Sequence, residues 1–212
     1  MLVSIFHVSF IVLKKERARR VSKCLVVPVL LGAYLAGGGN KFLLPVFALV
    51  LGWFGDVLLL RIEKKINFML GLASFLLGHL CYTLTFINIL GFSVSDDAPG
   101  KISIPAAALF TVPAIVLGAL VFRLVKPAKE MYVPVIVYMI VLELMTLFGF
   151  QVFLFYPGFA GFLILSGCLC FMISDTILAY HIFRKQTLLG AILIMVFYIL
   201  AQTEIILGLL RL

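Results

Sequence analysis

Four acidic side chains, Asp56, Glu143, Asp175 and Glu204, lie inside apolar stretches of the chain, whereas Glu16, Glu63, Asp96, Asp97 and Glu130 fall in the connections between them. An acid at the centre of a membrane helix costs about 2.5–3.5 kcal/mol on insertion scales, so each of the four needs a partner or a purpose. A purely structural role, neutral and hydrogen-bonded to another helix, suits Glu143 and Glu204 better than the two aspartates. Asp56 and Asp175 share a local pattern, Gly55-Asp56-Val57-Leu58-Leu59 against Ser174-Asp175-Thr176-Ile177-Leu178, each with a phenylalanine just upstream (Phe54, Phe171) and a basic loop downstream. Each is also followed 23 residues later by a polar aromatic residue, His79 or Tyr198. Equal spacing over a crossing and its return puts equivalent side chains at similar depths. Of two carboxyls in one low-dielectric cavity, one can keep its proton and act as a general acid while its ionised partner orients water or stabilises a developing cation. A proton- or cation-coupled carrier, or a lipid-binding membrane protein, would also place acids in this way, so the carboxyls alone leave both classes open.

Helical spacing adds neighbours to these groups: Tyr82 three residues after His79, Gln202 four after Tyr198, and Gly52 on the face of Asp56, where it permits close packing. His7 lies in a short first segment and His181 at a helix end, and no HxxxH or HExxH spacing supports a metal site. Neither a G-x-S-x-G elbow nor a Walker-type loop occurs, so no cofactor is expected. Cys24, Cys81, Cys168 and Cys170 sit in apolar stretches without ligand spacing and read as small hydrophobic packing residues.

The elements that position these groups follow from composition. Of 212 residues, 64% are apolar and 12% charged, against roughly 45–50% and about 25% in a soluble domain. The chain is an all-α, multi-pass integral membrane protein in one domain, 1–212, of the cell or inner membrane if bacterial. Apolar segments at about 2–13, 21–37, 42–60, 67–91, 102–125, 131–150, 158–183 and 187–210 predict eight transmembrane helices. The first is short for a full crossing. Lys14, Lys15, Arg17, Arg19 and Arg20 follow it rather than precede it, the reverse of a signal peptide. The net charge of +8 is spread through short runs between segments, which excludes a nucleic-acid-binding face. Fourteen of the 17 basic residues fall on one side of an eight-span layout, leaving only Lys41, Lys101 and Arg211 on the other, which predicts both termini outside the cytoplasm. On that layout the third and seventh spans run in the same direction, as in a parallel four-plus-four repeat of 1–100 and 101–212. At 1.5 Å per residue, Asp56 lies ~8 Å inside Arg61 and Asp175 ~13 Å inside Arg184, with His79 and Tyr198 ~20 Å from their basic loops. All four can then line one cavity opening toward the cytoplasmic half.

Lys23 with Pro28, Gly55-Asp56, Gly78-His79 with Tyr82, Phe171-x-x-Ser174-Asp175-x-x-Leu178-Ala179 and Tyr198-x-x-Ala201-Gln202 occur in order over nearly the whole chain. Their succession resembles the YhhN-like lysoplasmalogenase family of multispanning membrane proteins. Cys24 departs from the family pattern, which has proline after the lysine, and affects only the local helix start. The resemblance implies a metal-independent ether hydrolase that cleaves the vinyl ether of a lysophospholipid substrate, releasing a fatty aldehyde and glycerophospho-ethanolamine or -choline. On that basis Asp56 and Asp175 are the acid and the cation stabiliser or water base, in an unassigned order. His79, Tyr82, Ser174, Tyr198 and Gln202 would position water and the ether oxygen, and Lys23 would meet the lipid phosphate. Headgroup preference and oligomeric state are not encoded in any motif.

Overall fold

The computed structural model describes residues 9–11, 13, 16–39, 42–61, 65–91 and 102–212. Most of the first predicted segment lies outside them, as do His7, Lys14, Lys15, Lys41, Glu63, Lys64, Asp96, Asp97 and Lys101. Seven long helices follow in order: α1 (Glu16–Ala36), α2 (Leu44–Leu58), α3 (Lys65–Ile89), α4 (Ile104–Val125), α5 (Tyr132–Phe155), α6 (Phe159–Phe183) and α7 (Leu188–Leu209). The five from α3 to α7 are long and apolar enough to cross a membrane, and α2 is a shorter apolar helix.

Most helix limits follow local chemistry. Proline occupies the first turns of α2 and α4, where its missing N–H leaves no intrahelical bond unmade. Lys126 closes α4 with φ 46°, a left-handed cap, and Pro127 bars continuation. Pro157 and Gly158 separate α5 from α6, and the Thr187 side chain accepts the Gly190 N–H at 3.0 Å to cap α7. Two limits differ from the expectation. α1 begins at Glu16 rather than near 21, because charged residues are good helix formers and a basic first turn can project beyond the apolar stretch. α5 runs to Phe155 rather than 150, and its Gln151, fully buried, bonds both backbone groups of Ser103 at the start of α4.

Leu59, Phe68, Val125, Val135 and Phe183 line a single cavity. The last turns of α2, α4 and α6 and the first turns of α3 and α5 are therefore at one end of the bundle, with α1 entering there too, since Trp53 Nε1 donates to Cys24 O at 2.9 Å. Arg123, in the last turn of α4, and Lys126, Lys129, Arg184 and Lys185, in the connections, are at this end. α6 and α7 pack with backbones nearly touching: a Cβ on Gly167 would lie 2.9 Å from Ala201 O, and one on Gly208 2.9 Å from Ala160 O. α4 differs from the rest, burying only Ala114 and Val125.

Candidate functional site

Asp56 lies in the last turn of α2 and Asp175 about two turns before the end of α6, and both draw partners from several other helices. Asp56, on α2, points Oδ1 at Lys23 Nζ of α1 across 3.2 Å, with its side chain only 4% exposed. Its other flank meets the Tyr198 hydroxyl of α7, yet neither Asp56 Oδ2 nor Tyr198 Oη completes a hydrogen bond among the described residues. Gly52 makes this approach possible, because a Cβ there would lie 3.3 Å from Tyr198 Oη and 3.1 Å from Gln202 Nε2. Asp175, on α6, accepts a hydrogen bond at 2.7 Å from Tyr138 of α5, and the same Oδ2 lies 3.9 Å from His79 Nε2 of α3. His79 is buried, and its Nδ1 has no hydrogen-bond partner among the described residues.

Phe171, one turn before Asp175, joins the two pairs. Its ring lies 4.9 Å from His79, 5.9 Å from Tyr198 and 6.3 Å from Tyr82, edge-on to the first two. Tyr82 in turn donates to Gln202 Oε1 at 2.6 Å, so α3 and α7 are tied beneath the site. The sequence candidates thus gather around one aromatic cluster, with two of them already committed elsewhere. The Ser174 hydroxyl donates to Ile194 O at 3.0 Å and acts as a tie between α6 and α7. The Lys23 ammonium, expected at a lipid phosphate, is engaged with the buried Asp56 carboxylate instead.

The electrostatic settings of the two carboxyls differ. Lys23 and Asp56 form an opposite-charge pair of zero net charge. Asp175 has no lysine or arginine partner among the described residues, only a phenol and an imidazole. A lone buried charge costs several kcal/mol in low dielectric, so Asp175 and His79 together hold one proton, either as acid and neutral ring or as carboxylate and imidazolium. A cavity of about 90 Å³ beside this pair is walled almost wholly by apolar side chains, with Asp175, Tyr138, Thr176 and Glu143 as its polar groups. Asp56, His79 and Tyr198 are packed behind that wall. Glu143 lies against α4, where a Cβ on Gly118 would fall 2.6 Å from its Oε1. Glu204 is partly exposed, with Cys170 Sγ 3.9 Å from its Oε2, and does not join the cluster. His181 accepts the Thr187 N–H at 3.4 Å in the loop before α7.

Tyr138 is the site residue that the sequence reading missed. Lys23 precedes Asp56 by 33 residues and Tyr138 precedes Asp175 by 37, one helical turn apart in register. The same 33-residue offset before Asp175 falls on Leu142 beside Glu143, so spacing alone points away from Tyr138.

The family model described as the YhhN family matches residues 18–209, a range that includes every residue of the cluster. The chain belongs to the YhhN family. No curated protein and no solved structure matches it. The membership and the apolar helices together make this YhhN protein a membrane protein, and the family is one associated with lysoplasmalogenase. Among the described residues of this YhhN chain, no three His, Cys, Asp or Glu side chains converge as metal ligands.

Proposed function

We propose that this YhhN protein hydrolyses the vinyl ether bond of lysoplasmalogens, with Asp175 as the proton donor and Asp56 as the fixed anion. The observation that carries it is the unequal pairing of the two carboxyls around one aromatic cluster: Asp56 on Lys23 at 3.2 Å, Asp175 on Tyr138 at 2.7 Å and beside His79 at 3.9 Å. General acid chemistry needs one carboxyl that carries a proton and one that does not, set apart by their surroundings.

A vinyl ether is cleaved by adding a proton to its β-carbon. Asp175 delivers that proton, and the π electrons form the new C–H bond, leaving an oxocarbenium ion at the carbon joined to oxygen. The Asp56 carboxylate and the ring faces of Phe171 and Tyr198 favour positive charge in the same region. Water adds to the cation and loses a proton to the Asp175 carboxylate, which is left ionised by the first step and is the aspartate that faces the cavity. The hemiacetal then collapses, its O–H proton passing to the glycerol oxygen as the aldehyde leaves. The proton gained from water returns Asp175 to its starting state, with His79 unchanged as a neutral ring 3.9 Å from Oδ2. One water is consumed and no electron changes hands. Purified protein releasing aldehyde from an alkenyl-lysolipid supports this course, whereas binding without release supports a carrier or lipid-binding protein.

We further propose eight spans with both ends outside the cytoplasm, and descent from a duplicated four-helix unit. Under that exchange Asp56 corresponds to Asp175 and His79 to Tyr198, both pairs separated by 119 residues. The contacts respect it, since each aspartate takes one partner from the preceding helix (Lys23, Tyr138) and meets the polar aromatic of the opposite half (Tyr198, His79). Cysteines replacing Lys129 and Arg211, both exposed, are expected to react with an impermeant maleimide from opposite faces of sealed vesicles. Reaction from the same face would refute the layout.

A further inference from the structure

α4 is bound to the bundle more loosely than any other long helix described. Its Ala114 and Val125 alone are buried, while Leu109, Val112, Val116 and Leu120 are more than half exposed. Pro113 sits at its middle, so the Leu109 carbonyl has no intrahelical N–H to accept, which makes this the natural place for the helix to bend. Two cavities lie beneath it. The inner one, about 90 Å³, runs from the basic end to Asp175 and Glu143. The outer one, about 330 Å³, is a groove open at its side, between Phe110 and exposed Pro113 on α4 and Phe150 and exposed Leu169 on the neighbouring helices. Leu117 and Met172 line both, so the two are halves of one crevice ~24 Å long, measured along α4 from Leu109 to Val125.

The order of chemistry along this crevice is directional. Arg123, Lys126, Lys129 and Arg184 lie at the basic end of the bundle, close in sequence to the lining residues Phe122, Val125 and Phe183; Asp175 and Tyr138 are among the inner cavity's polar groups, and the outer half has only apolar walls. A single-chain glycerophospholipid has the same order: an anionic phosphate, a linkage to the first chain, then hydrocarbon. A diacyl glycerophospholipid has the same order of groups with a second chain, and cavities of about 90 and 330 Å³ leave room for one chain rather than two; the basic end complements the phosphate charge.

We propose that the crevice beneath α4 seats a single-chain glycerophospholipid lying along the helix, with the hydrocarbon in the outer cavity, and that α4 bends at Pro113 to admit it from the bilayer. Placing the first chain carbons at Asp175 rests on the hydrolytic function proposed above; the seat itself does not, because alkyl and alkenyl chains share it.

The test therefore uses lysophosphoethanolamines with saturated 1-O-alkyl chains, which cannot be hydrolysed by this route, and measures their binding to the purified protein by native mass spectrometry. Leu169→Trp, which fills the outer cavity at a position remote from the carboxyls, is expected to weaken binding of a sixteen-carbon chain about tenfold or more. Binding of a four-carbon chain should change by less than about twofold, since such a chain spans ~4–5 Å and ends near Met172 and Leu117, one turn short of Leu169. Equal weakening of both, or of neither, overturns the proposal. In the unaltered protein, an alkyl-lysolipid with a terminal diazirine is expected to label Phe110, Phe150 or Leu169. Labelling confined to outward-facing Val116 and Leu120 overturns it as well. Chain-length-dependent binding without aldehyde release from the alkenyl lipid would uphold the seat and refute the hydrolytic function.

Discussion

Asp175→Asn is expected to depress aldehyde release from alkenyl-lysolipid by about 10²–10⁴-fold, the usual worth of a positioned general acid. The amide keeps the shape of the side chain and can still accept from Tyr138, so packing of α5 on α6 changes little while the transferable proton is lost. His79→Gln should cost less than Asp175→Asn, because it removes the ring beside Asp175 Oδ2 but leaves the transferable proton. Glu204→Gln, whose carboxyl touches only Cys170 in the described cluster, serves as the control and should reduce activity by less than about threefold, well short of a lost acid. Since any buried acid can affect activity through folding, each variant is compared at equal amounts of monodisperse protein. A folded Asp175→Asn protein working at the wild-type rate would remove Asp175 from the mechanism.

Lys23→Met should destabilise the fold by about 3–5 kcal/mol, because it leaves the Asp56 carboxylate buried without its cation. The effect belongs to the orphaned partner, so adding Asp56→Asn to Lys23→Met should restore most of the thermal stability in detergent. The doubly substituted protein should melt near the wild type and yet remain inactive, since the fixed anion is gone. That combination separates the structural contribution of the pair from its electrostatic one. If Lys23→Met melted like the wild type, or if the second substitution failed to restore stability, the ion pair would not be what ties α1 to α2.

Most of the helices and the four central side chains were legible in the sequence, for different reasons. Long apolar runs interrupted by Pro, Gly and charge mark membrane helices strongly, and α3, α4, α6 and α7 fall within two residues of their expected limits. Asp56 and Asp175 stood out because acids are costly in such runs, and His79 and Tyr198 because of their shared spacing. The partnerships were not legible. That Asp56 meets Tyr198 while Asp175 meets His79 depends on how α2 faces α7 and α6 faces α3, and no local signal reports the rotation of one helix against another. Tyr138 escaped because a tyrosine among Val, Ile and Met reads as packing until its hydroxyl is seen to reach Asp175. In sequence Lys23 suits a headgroup ligand, because a lysine near a helix start usually reaches for the interface; here the helix begins earlier, and the ammonium turns inward to a carboxylate. The looseness of α4 was equally hidden, as its hydropathy matches that of the well-packed α5 and α7.

The central claim is that a carboxyl-borne proton is added to the vinyl ether carbon within this bundle. Its most direct test is to incubate the purified protein with alkenyl-lysophosphoethanolamine in deuterium oxide, reducing the aldehyde as it forms so that later exchange cannot intervene. The expected product carries one deuterium at the carbon next to the former aldehyde carbon, and its formation is at least about twofold slower than in ordinary water, as proton transfer to carbon in the slow step requires. Protein that binds the lysolipid and releases no aldehyde, or aldehyde formed without that deuterium, would contradict the mechanism.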